Sequence, residues 1–78
     1  MSLHDEVKKY FTECFKDVSM EDLFMENNDQ TLTFSFIMGL PPEECRYMEV
    51  EPEFTDEDIR QFDEVEGEVC RIRREFMR

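Results

Sequence analysis

The chain predicts an α+β fold: one small domain over residues 1–78 in the order α-β-β-β-α, with a three-stranded antiparallel sheet and two helices packed on one face. Three observations point there. Apolar residues recur at helical spacing near both ends, the middle alternates with period two, and Asn, Gly and Pro separate the regimes.

Leu3, Val7, Phe11, Cys14, Phe15 and Val18 form the first helical stripe, with Tyr10 beside them. Ser2 is a good N-cap and Asp5 stands three residues on, in the manner of a capping box. A helix over 3–17 follows. Residues 19–26 have two readings. Ser19 with Asp22 caps a short helical turn, or Leu23–Glu26 is the first arm of a hairpin turning at Asn27-Asn28-Asp29. Asn and Asp tolerate the backbone such turns need, which favours the hairpin.

From Thr31 to Met38, Leu32, Phe34, Phe36 and Met38 share one face, and Thr31, Thr33 and Ser35 the other. That is the pattern of a half-buried strand. Gly39-Leu40-Pro41-Pro42 breaks it. A third strand is expected over Arg46–Glu51, with Met48 and Val50 toward the core, until Pro52 ends it. The last helix opens with Thr55 as N-cap, Asp58 three residues on, and Phe54 and Ile59 at hydrophobic-staple positions. Ile59, Phe62, Val65, Val69, Ile72 and Phe76 then make one stripe, so the helix should span 56–77. Gly67 inside it costs about 1 kcal/mol relative to Ala. The double-stranded-RNA-binding domain shares this order of elements, but the basic residues of that family are missing here.

The chain carries 21 Asp and Glu against 9 Lys and Arg, for a formal charge of −12. Direct binding to nucleic acid or to an anionic membrane is therefore not expected, because both need clustered cations. No apolar run approaches the length of a membrane span, and the N-terminus has neither a basic n-region nor an apolar h-region. Cys14, Cys45 and Cys70 are odd in number and far apart, which suits reduced thiols in a cytoplasmic protein. His4 and the three cysteines have no metal-ligand spacing, and Asp56-x-Asp58 loses an EF-hand pattern at Arg60 and Gln61. With one histidine and only two glycines, neither a catalytic triad nor a phosphate loop is supported. No enzyme activity, metal or cofactor is expected. Cys70, between Val69 and Arg71, reads as a buried, inert thiol.

The charge is unevenly placed. Residues 1–18 are nearly balanced, residues 43–68 hold twelve acids and two bases, and residues 70–78 are basic. A helix dipole favours acids early and arginines late, which accounts for the direction of the gradient. It does not account for Asp63, Glu64, Glu66 and Glu68 in mid-helix, nor for Glu43 and Glu44 outside it. These residues suggest a non-enzymatic module whose acidic surface meets a basic protein partner. Such a surface could stand in for nucleic-acid phosphates and inhibit a nucleic-acid-binding protein, as small acidic anti-defence or immunity proteins do. The partner-binding residues on this reading are Glu43, Glu44, Asp56, Asp63, Glu64 and Glu68. An alternative rests on the apolar surplus Met20, Leu23, Phe24, Met25, Ile37, Leu40, Tyr47, Met48 and Met77. A three-stranded sheet covered on one side cannot bury all of these, so its open face would serve a homodimeric, chaperone-like or structural protein. Type III secretion chaperones are comparably small and acidic.

Overall fold

A computed structural model describes residues 2–48 and 53–77. Among these the chain is helical throughout, with no strand: α1 (Leu3–Cys14), α2 (Met20–Glu26), α3 (Asp29–Met38), α4 (Pro42–Cys45) and α5 (Asp56–Phe76). The expected α-β-β-β-α order and its three-stranded sheet are therefore wrong. Helices do form at both ends. α1 stops at Cys14, short of 17, with the Phe15 N–H closing on the Phe11 carbonyl.

The decisive correction is Thr31–Met38, which is α3 and not a strand. Asn28, read as a hairpin residue, is its N-cap, and its Oδ1 accepts the Thr31 N–H at 2.7 Å. Gly39 stops it at φ 68°, the left-handed conformation that suits glycine at a helix end. Period-two alternation failed as a guide because this helix is buried on nearly every side. Thr31, Leu32, Thr33, Phe34 and Ser35 are all buried. The Thr33 hydroxyl donates to the Asp29 carbonyl at 2.6 Å, and the Ser35 hydroxyl to the Leu40 carbonyl at 2.7 Å. Bonded in this way, small polar residues enter a core at little cost, and alternation no longer separates inside from outside. Tertiary packing overrides the β-propensity of the stretch.

Residues 20–26 take the helical option instead of the hairpin arm, with Ser19 Oγ accepting the Asp22 N–H at 3.1 Å. The third strand is not formed over Arg46–Met48, which follow α4 as a turn, and the rest of it, including Val50, lies outside the described residues. Pro42 opens α4, where its missing N–H removes nothing. The reciprocal Thr55–Asp58 capping box of α5 is present, with both bonds at 3.1 Å.

The core is Val7 and Phe11 of α1, Leu23 and Phe24 of α2, Leu32 of α3, and Val65, Val69 and Ile72 of α5. Tyr10 seals one side: its ring meets Phe36 edge-on at 5.4 Å, and its hydroxyl donates to the Ser35 carbonyl at 2.9 Å. The expected α5 stripe is only half used. Val65, Val69 and Ile72 are buried, but Ile59 is 44% exposed, because α5 runs on past the core.

Arg73 locks α5 to the α2–α3 junction. Its Nε donates to Asp29 Oδ1 at 2.6 Å, Nη2 to the Asn27 carbonyl at 2.6 Å, and Nη1 to the Phe24 carbonyl. The guanidinium also lies over the Phe24 ring, 5.3 Å from its centroid. One planar fork thus satisfies the orphan carbonyls of α2 and the first carboxylate of α3 together. Arg73→Ala should cost roughly 2 kcal/mol, since charged hydrogen bonds are lost and carbonyls left unpaired. Arg73→Lys should recover only part, because an ammonium lacks the fork geometry. Thermal melts followed by circular dichroism would read the loss as a fall of about 10 °C.

Candidate functional site

The acids of the expected surface fall into two groups. Glu43 and Glu44 occupy the first turn of α4, Asp56 the first turn of α5, and Asp63 and Glu64 its middle; all five are exposed. None forms an ion pair with another described residue, and neither do the exposed Glu53, Glu57 and Asp58. Asp56 and Arg60, one turn apart on α5, form no ion pair either.

Glu68 stands apart. Only 18% of its side chain is exposed, and it accepts from His4 Nδ1 at 2.7 Å and from the Arg71 guanidinium. His4 also reaches Glu75 through Nε2 at 3.0 Å, and Lys8 meets the same carboxylate at 3.0 Å. The Lys8 ammonium, then His4, hold Glu75 below the usual carboxylate range. With Arg73–Asp29, every ion pair among the described residues except Glu68–Arg71, which lies within α5, ties the C-terminal half of α5 to α1 or to the start of α3.

At about 100° per residue, the acids of α5 do not form one row. Asp56 and Asp63, seven apart, share one face. Glu64 and Glu68, four apart, share another. The acidic surface is thus the N-terminal half of α5 seen from several sides, plus α4.

Beside this half lies a cleft of about 380 Å³ between the C-terminal part of α3 and the start of α5. Phe34, Ile37, Met38, Phe54, Ile59 and Phe62 line it, with Asp58, Gln61 and Asp63 as its polar groups. Phe34 and Phe62 pack at 5.0 Å between centroids and form the floor. Met38 is 49% exposed. Sequence reasoning missed this cleft, although the signal was there: Phe54 and Ile59 were placed as a staple, and the α5 stripe had more apolar residues than a small core needs.

On the α3 side of α5, Cys70 Sγ donates to Asp29 Oδ2 at 3.0 Å. That bond first, then burial and the Asp29 and Glu66 charges, push the thiol up to about 11. A thiol held so high is mostly protonated at neutral pH and so a poor nucleophile, and Cys70 is half-buried where the sequence suggested full burial. Among the described residues no group of His, Cys, Asp or Glu is arranged to hold a metal ion. Burial, and then the charges of Asp29 and Asp63, push the Glu66 carboxyl above its ordinary 4.5. The folded chain therefore holds this proton to higher pH than the unfolded chain, and stability falls as pH rises through that window. Glu66→Gln should raise the melting temperature at pH 7, and the gain should vanish below pH ~4, where both states are protonated.

No family model, no curated protein and no solved structure matches this chain.

Proposed function

We propose that this chain is a non-enzymatic binding module of the cytoplasm that engages a basic protein through the acidic pole formed by α4 and the first half of α5. One observation supports the reading: among the described residues every ion pair involves the C-terminal half of α5, and the acids of α4 and of the first half of α5 make none. Among the described residues Glu43, Glu44, Asp56, Asp63 and Glu64 make no ion pair, whereas Glu68, Glu75 and Asp29 do. Exposed carboxylates held on helices keep their spacing, attract a basic surface from a distance and lose little entropy when it arrives. A partner that handles nucleic acid fits the same chemistry. Its phosphate-binding groove would meet carboxylates instead, and the chain would act as an inhibitor by competition.

Glu68 is already paired with His4 and Arg71, with 18% of its side chain exposed. The informative variant is therefore Asp63→Lys with Glu64→Lys, both exposed and free of internal partners. Pull-downs from lysate at ~50 mM and ~500 mM salt test the reading, since screening at the higher value shortens the range of the field to a few ångströms. The wild-type chain should retain basic proteins at low salt only, and the double variant should retain them at least tenfold less, about 1.4 kcal/mol. Retention unchanged by salt and by charge reversal would sink the proposal.

A further inference from the structure

We infer that the cleft between α3 and α5 receives the apolar face of an amphipathic helix whose other face is basic. This deepens the acidic-pole reading and rests on it.

Two properties of the cleft define its occupant. The first is its lining. Apart from Asp58, Gln61 and Asp63 it is hydrocarbon, and it offers no tyrosine or tryptophan donor to hold an extended, proline-rich segment. Its walls are helices whose backbone groups already bond internally, so an added strand has no edge to pair with. A helix needs neither, because its backbone is self-satisfied and only its apolar side chains enter the groove. Met38 and Ile59, about half exposed at the mouth, give that surface some freedom to adapt.

The second property is charge. Asp58 and Asp63 line the cleft, Asp56 and Glu57 stand exposed on the same end of α5, and Glu66 titrates high partly because Asp63 and Asp29 already fill its surroundings with negative charge. An apolar groove with such a rim selects Lys or Arg on the flanks of the inserted face. It also disfavours a second copy of this chain, which would bring the same acids to the same rim.

The probe is a helical Leu/Lys peptide of about 14 residues, long enough to fold on contact, with its leucines on one face. A second peptide of the same composition, scrambled so that the leucines are scattered, carries the charge without the stripe. Methyl NMR of the whole chain should show the Met38 and Ile59 signals shifting with the first peptide and not with the second. Met38→Gln with Ile59→Gln, two partly exposed positions, should weaken the amphipathic peptide about tenfold and leave the scrambled one unchanged. Circular dichroism confirms that the variant is folded, and Met38→Leu should bind like the wild type. Equal binding of both peptides with unshifted methyls would overturn the cleft inference and leave the acidic pole standing. Binding of neither peptide at low salt would overturn both. A concentration-dependent dimer abolished by the glutamine variant would overturn the inference in favour of self-association.

Discussion

A helix can be buried on nearly every side only if each polar side chain it carries inside finds a bond there, and α3 meets that condition. Thr33 bonds back one turn, Ser35 bonds forward to Leu40, and Tyr10 of α1 closes on the Ser35 carbonyl. No buried side-chain nitrogen or oxygen among the described residues lacks a partner. Left unbonded, a buried hydroxyl costs about 1–3 kcal/mol, a large share of what a domain this small can hold. With those bonds made, α3 becomes the post around which α1, α4 and α5 pack. Asp29 in its first turn suits the positive end of the dipole and holds Arg73 of α5.

The two poles follow from length. α3 has 10 residues and α5 has 21, or roughly 15 Å against 31 Å. The post cannot cover the whole of the longer helix. Where α1, α2 and the start of α3 meet α5, its apolar stripe is buried and its charges find partners in His4, Lys8 and Asp29. Toward Asp56 only the end of α3 remains beside it. There Ile59 and Phe62 border a cleft, and the carboxylates meet solvent. Cleft and acidic pole thus share one geometric cause.

Much of the local structure was legible in the residues. The caps Ser2 and Thr55, the stop at Gly39-Leu40-Pro41-Pro42 and the core positions Val65, Val69 and Ile72 all act as their types and spacing require. The Ser19 cap was legible too, although the competing hairpin reading was preferred over it. The error in Thr31–Met38 has a definite origin. Hydrophobic periodicity reports a boundary between inside and outside, and a helix buried on nearly every side has no such boundary to report. Once that stretch was read as a strand, Asn27-Asn28-Asp29 became a turn, and the real tasks of Asn28 and Asp29 were lost. The links from Arg73 to Asp29 and from His4 to Glu68 join residues more than forty positions apart, and no local pattern could show them. For the candidate site, the acids were visible but their division was not. Glu68 looks like Glu64 until His4 and Arg71 are beside it.

The unpaired pole also gives salt two opposite effects. The molecule measures 35 × 27 × 20 Å, about the Debye length of ~30 Å in 0.01 M salt, so in dilute buffer every free carboxylate feels the others. Asp63 and Glu64 are too far along α5 to be relieved by its N-terminal dipole, and they form no ion pair among the described residues. Their repulsion weakens the free fold, and added salt should relieve it. The same salt weakens attraction to a basic partner. A chain whose acids served only solubility would show the first effect alone. A binder shows both, because a cationic ligand that prefers the folded state replaces the missing counter-charge and stabilises the fold by mass action. If the chain is such a binder, the acidic pole is a weakness of the free domain that binding would remove.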